Sequence, residues 1–168
     1  MEPIINKVAA SGIITLDLAR FLPKNPIETV DLSTYLWMGM VLKEKEFRAA
    51  VAATDWKIYQ HKTIALYCST DAIVPTWAFM LISGVLQEVG AEVYFGNAEE
   101  VRQKMLLENI EKMDVAPFER AKVVVKGCGD EYISEAAYVA ITLKLKPVVK
   151  NLMYGEPCST VPLFKRKE

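Results

Sequence analysis

Hydrophobic positions after residue 60 alternate between short buried runs and helical spacing. Lys62 to Cys68 (K-T-I-A-L-Y-C) is a β-branched and aromatic run bounded by Ser69, Thr70 and Asp71, which predicts a buried strand. Pro75 suits a first helical turn, and the helix continues through Trp77, Met80, Leu81, Val85 and Val89 to Gly90. Because it is apolar on nearly every side, this helix is expected to be covered on both. Glu92 to Gly96 predicts the next strand. Residues 98–112 predict an amphipathic helix with Val101, Met105, Leu106 and Ile110 inward. Ala121 to Lys126 predicts a third strand, ending at Gly127, Cys128 and Gly129. Ser134 is placed to cap a helix through Ala137, Tyr138, Ile141 and Leu145. Pro147 ends that helix, and Asn151 to Tyr154 forms a fourth strand before Gly155.

The first 56 residues carry a weaker pattern. Ile13 to Leu18 (I-I-T-L-D-L) alternates like an edge strand. Pro23 and Pro26 interrupt the chain, Ile27 to Leu42 fits strand, helix or both, and Lys43 to Ala53 is an amphipathic helix around Phe47, Ala50 and Val51. Strands alternating with helices predict an α/β fold with a mainly parallel sheet and right-handed crossovers. The expected arrangement is doubly wound (Rossmann-like). Residues 57–164 would form a βαβαβαβ core, with residues 1–56 as an extension packing on the same sheet, all within a single domain, 1–168.

The chain's 168 residues suffice for a real core without disulfides. Its 52% hydrophobic content is slightly rich, which suggests a homodimer. A net charge of −1 leaves no field for nucleic acid, and Lys165, Arg166 and Lys167 read as a solvated tail. The uncharged run between Asp71 and Glu88 is too short and interrupted for a membrane span. Met1 to Lys7 shows no basic head before an apolar stretch, so a cytoplasmic address with reduced cysteines is expected.

Two segments echo each other. Residues 62–96 run strand, Cys68, Asp71, helix, strand, Gly96; residues 122–155 run strand, Cys128, Asp130, helix, strand, Gly155. Any two βαβ units share such a plan, so the echo reads either as duplication or as common architecture. In a doubly wound sheet the first and third of these strands are neighbours about 4.8 Å apart. Cys68 and Cys128 would then meet at the switch point where such sheets bind ligands, with Cys158 folding back over the same edge.

Three thiolates suit zinc, iron or an iron–sulfur cluster, with Asp71, Asp130 or Glu156 in support. No CxxC pair strengthens that reading. His61 begins the strand that Cys68 ends, about 20 Å away, so it is expected on the surface. With no histidine beside a nucleophile, triad chemistry is unsupported; with no glycine-rich phosphate loop, so is nucleotide chemistry. A thiol enzyme activating Cys68 or Cys128 at a helix N-terminus remains open. So does a partner-binding module in which the cysteines only pack.

The stretches Leu42–Arg48, Tyr67–Ala78 (Y-C-S-T-D-A-I-V-P-T-W-A), Lys126–Asp130 (K-G-C-G-D) and Gly155–Pro162 (G-E-P-C-S-T-V-P) resemble an uncharacterised Bacteroidetes family, the bacterial domain of unknown function 2480. The resemblance covers nearly the whole chain, and all three cysteine motifs stand intact. It assigns no reaction. It implies an association with the SUF iron–sulfur assembly system, and therefore iron–sulfur assembly proteins as partners. The expectation is an accessory protein with a metal or iron–sulfur-linked site on Cys68, Cys128 and Cys158.

Overall fold

The computed structural model describes residues 12–127 and 129–167. Its strands fall into two sheets. The first holds β1 (Ile13–Leu16), β5 (Lys122–Val125), β6 (Asn151–Glu156) and β7 (Ser159–Lys165), in the order β1-β5-β6-β7. The second holds β2 (Ile27–Asp31), β3 (Thr63–Tyr67) and β4 (Glu92–Phe95), in the order β2-β3-β4. Every pairing is parallel except β6 with β7. The helices are α1 (Glu44–Ala53), α2 (Thr76–Glu88), α3 (Ala98–Lys112) and α4 (Glu135–Leu145).

The mainly parallel α/β class follows the hydrophobic pattern; the single doubly wound sheet does not. β3 pairs with β2 and β4, and β5 pairs with β1 and β6, so the strands ending near Cys68 and Cys128 are not neighbours. A buried run records that a strand is covered on both faces, not which strand lies beside it. The expected N-terminal extension is likewise shared out. β1 pairs with β5, Leu16 opposite Val125, while β2 pairs with β3, Asp31 opposite Tyr67.

The chain divides into two compact units. Unit 1 comprises the described residues of Met1–Leu22 and Gln103–Glu168, and unit 2 is Pro23–Arg102. Leu16, Leu106, Ile110, Val123, Val125, Ala137, Ile141 and Leu145 are buried in unit 1. Val30, Phe47, Val51, Ile64, Leu66, Ala78, Ile82 and Leu86 are buried in unit 2.

These two sets correspond. From α1 onward, most core positions of unit 2 recur 59 positions later in unit 1: Phe47 with Leu106, Val51 with Ile110, Ile64 with Val123, Ala78 with Ala137, Ile82 with Ile141, Leu86 with Leu145. The same interval relates the left-handed residues His61 (φ 58°) and Arg120 (φ 55°), and the glycines Gly96 (φ 130°) and Gly155 (φ 118°). It also relates the edge-to-face pairs Phe79–Phe95 and Tyr138–Tyr154, at 5.4 and 5.6 Å between ring centroids. The two units thus share one plan in one register, and unit 2 interrupts the sequence of unit 1 between Leu22 and Gln103.

Three further expectations change. α2 buries Ala78, Ile82 and Leu86, but Met80 on another side is 69% exposed, so the helix is not covered all round. Ser134 stands at the N-cap of α4 without a side-chain capping bond; its hydroxyl is buried with no partner among the described residues. The basic segment is not a solvated tail. Lys165 ends β7, and the Arg166 guanidinium donates to the carbonyls of Val149 (3.2 Å), Pro147 (2.6 Å) and Lys146 (3.4 Å). A cation there satisfies the carbonyls just beyond the C-terminal end of α4.

Candidate functional site

The first strand of each unit leads into the same dipeptide in Thr15-Leu16-Asp17-Leu18 and Thr29-Val30-Asp31-Leu32. Both aspartates turn the chain into a 3₁₀ turn, Leu18–Phe21 or Leu32–Tyr35. Asp17 accepts from the Ala19 N–H at 2.9 Å, and Asp31 from the Ser33 N–H at 2.9 Å. The leucine after each aspartate is buried and anchors the turn.

The second partner differs between the units. In unit 2 the Asp31 carboxylate also accepts from the Ser69 N–H at 3.0 Å, which ties down the loop after Cys68. Ser69 Oγ donates to Ser33 Oγ at 3.1 Å. The half-buried Cys68 thiol lies 3.6 Å from the Thr70 carbonyl and 3.4 Å from Thr70 Oγ1. That thiol is engaged within its own loop. In unit 1 the position of Tyr67 is taken by Lys126, whose Nζ donates to Asp17 Oδ2 at 3.0 Å.

The electrostatics follow from these bonds. Burial pushes the Asp17 carboxyl up, but the Ala19 N–H and the Lys126 ammonium outweigh it and hold the group below its ordinary value. Asp31 behaves likewise, with burial opposed by its bonds to Ser69 and Ser33. The Lys126 ammonium is raised, first by its hydrogen bond to Asp17, then by the charges of Asp17, Glu156 and Asp130.

Lys126 lines a cleft of about 720 Å³ at the carboxyl edge of the unit 1 sheet, with Asp17, Gly127, Asp130, Tyr138 and Tyr154 among its walls. The Tyr138 hydroxyl donates to the Lys126 carbonyl at 3.3 Å, and the Tyr154 hydroxyl to the Gly127 carbonyl at 3.5 Å. A Cβ on Gly127 would lie 2.7 Å from the Tyr154 ring, so glycine lets that ring close down on the loop.

The predicted site residues separate accordingly. Cys68 and the exposed Asp71 belong to unit 2. Asp130, Glu156 and the exposed Cys158 belong to unit 1, Cys158 in the β6–β7 turn. Cys128 is in unit 1 by sequence and lies outside the described residues. The two cysteines of the echo are also out of step. In the common register Cys68 matches Gly127, and Ser69 matches Cys128. Among the described residues no three His, Cys, Asp or Glu side chains are grouped to hold a metal ion. No helix among the described residues is long and apolar enough to cross a membrane.

Asp17, Asp31 and Lys126 escaped the sequence reading, although the repeated Thr-x-Asp-Leu was there to find the two aspartates. Their titration gives a prediction. Both aspartates are depressed below 3.8, so their contribution is complete above that value and is lost as pH falls through their folded values. Lys126 is raised above 10.5, so its contribution is complete below that value and is lost as pH rises through its folded value. Asp17→Asn is therefore expected to flatten both limbs of stability against pH, and Asp31→Asn only the acid limb. Urea midpoints from pH 3 to 11 check this; an Asp31→Asn variant that loses the alkaline limb would refute it.

Fold and edge geometry together define a mainly parallel α/β protein of two corresponding units, each with an aspartate-anchored turn after its first strand. The chain belongs to the family described as protein of unknown function DUF2480, which it matches over residues 2–166. No curated protein and no solved structure matches it.

Proposed function

We propose that the protein is an accessory factor that handles sulfur or a thiophilic metal at the carboxyl edge of unit 1, through Cys128 and Cys158, in iron–sulfur cluster assembly or sulfur transfer. One observation carries this reading. Lys126, two residues before Cys128, lines one cleft at the carboxyl edge of the unit 1 sheet with Asp130, two residues after that cysteine, and with Tyr154, four residues before Cys158. The segments that carry both unit 1 cysteines thus contribute walls to one cleft that holds a lysine. An ammonium favours thiolate over thiol, and thiolate is the ligand that zinc, iron and iron–sulfur centres select. Asp130 and Glu156 would add oxygen donors. Cys68 is bonded within its own loop in unit 2, so this reading rests on the two cysteines of unit 1.

Thiol chemistry at a single activated cysteine is the second reading, favoured by the same ammonium. One experiment addresses both: anaerobic purification with metal analysis and visible spectroscopy, then alkylation against pH, on the parent and on Cys68→Ser, Cys128→Ser and Cys158→Ser. The expected result is bound zinc or iron that is lost in Cys128→Ser and Cys158→Ser and kept in Cys68→Ser. A metal-free protein with one thiol reacting well below about 8.5 selects the enzyme reading. A protein that takes up neither metal and whose three thiols react only on unfolding overturns both, and leaves a partner-binding module.

A further inference from the structure

We propose that the chain forms a two-fold homodimer through the open edge of β4, with Phe95 of each copy filling a groove between β4 and α2 of the other. Unit 1 supplies the template. There β6 occupies the position of β4, and its outer edge is covered by β7, with Leu152 opposite Phe164. Phe164 is partly buried against the unit 1 core. Its ring lies 5.7 Å from Lys146 Nζ, just past the end of α4.

Among the described residues, unit 2 has the same groove with no strand paired beside it. The counterparts of Leu152 and Lys146 are Val93 and Gln87, and both line a depression of about 660 Å³ with Phe79, Met80, Gly84 and Phe95. Among the described residues nothing pairs with the outer edge of β4. Beside that edge Phe95 is 72% exposed, whereas its counterpart Tyr154, flanked by β7, is 38% exposed. A hypothetical Cβ on Gly84 meets nothing within 4 Å, so α2 offers room for an incoming side chain.

A second copy of the chain fits this vacancy by register. In an antiparallel β4–β4 pair with Tyr94 on the two-fold axis, Val93 of one copy stands opposite Phe95 of the other. Cross-strand partners project to the same face. Phe95 then takes, against Val93, the place that Phe164 takes against Leu152. The symmetry makes the exchange reciprocal, as an isologous interface requires, and Met80 of each α2 borders the contact. Each aromatic ring has on the order of 150–250 Å² to bury. Four-residue strands add few ladder bonds, so the expected dimer is of micromolar strength.

Size-exclusion chromatography with light scattering on the full chain, from about 1 to 100 µM, tests this. The parent is expected to run as a dimer at the upper end and to dissociate on dilution. Phe95→Asp and Met80→Lys are each expected to give monomers throughout, with an unchanged far-ultraviolet spectrum. Leu143→Lys, at the Gly84 position of unit 1, is expected to stay dimeric. Should Phe95→Asp fail to fold, Met80→Lys, at an exposed helix position, carries the test. A monomeric parent at about 100 µM, or a dimer that survives in folded Met80→Lys, overturns the proposal. An extended segment from another protein would leave the purified parent monomeric and so counts against it.

Discussion

Phe47→Ala is expected to destabilise the protein by about 3–5 kcal/mol, the range for truncating a fully buried aromatic. Phe47 projects from α1 and is 1% exposed. Its ring stands edge-to-face on Tyr35 at 5.3 Å and on Trp77 at 5.7 Å, so one side chain joins the 3₁₀ turn after β2 to the first turn of α2. Removing it leaves a cavity bounded by rings that cannot collapse without turning, which puts the cost toward the upper part of the range. A domain of ordinary stability has about 5–15 kcal/mol in all. The variant should therefore unfold at a much lower urea concentration, and amide exchange should quicken through unit 2. Its counterpart Leu106, a fully buried aliphatic side chain, should cost about 2–5 kcal/mol as alanine. A Phe47→Ala shift smaller than that of Leu106→Ala would contradict the ring cluster.

Gly155→Ala carries the second large effect. At φ 118° a side chain is strained, and an added Cβ would stand 2.6 Å from the Ser159 carbonyl oxygen. That oxygen belongs to the backbone of the β6–β7 hairpin, so the hairpin itself must shift. Backbone strain of this kind costs about 1–3 kcal/mol, and the contact places Gly155→Ala near the top of that range. The counterpart Gly96 is a built-in comparison. At φ 130° its Cβ would meet Glu100 Oε2 at 2.8 Å, the far end of a side chain that can swing away. Gly96→Ala should therefore cost less. Denaturant melts rank the two, and amide exchange in β6 and β7 locates the damage. Equal losses would mean that the hairpin contact contributes nothing.

The local elements were legible along the chain because their causes are local. The β-branched run through Ile64 and Leu66 makes a strand, and Pro75 and Gly90 bracket α2. The spacing of Val101, Leu106 and Ile110 makes α3. The return strand β7 was not among the elements expected from the sequence, and Pro162 within it is a residue type that disfavours a strand. Proline is tolerated there because β7 lies at the edge of its sheet.

The candidate site was legible as residue types and not as a place. Cys158, Asp130 and Glu156 do fall in one unit, but the pairing expected to bring Cys68 to Cys128 does not exist. Lys126 and Asp17 are 109 positions apart, and their contact arises only because β1 and β5 pair in parallel with Leu16 opposite Val125.

Hydrophobic periodicity alone determined that this chain is an α/β protein of parallel strands, because burial on two faces leaves its mark within a few residues. Tertiary structure alone decided that the strands divide between two sheets, that one unit interrupts the other, and that Lys126 pairs with Asp17. Those outcomes depend on which strand edges meet, and the hydrogen bonds that join strand edges are made by backbone groups common to every residue but proline.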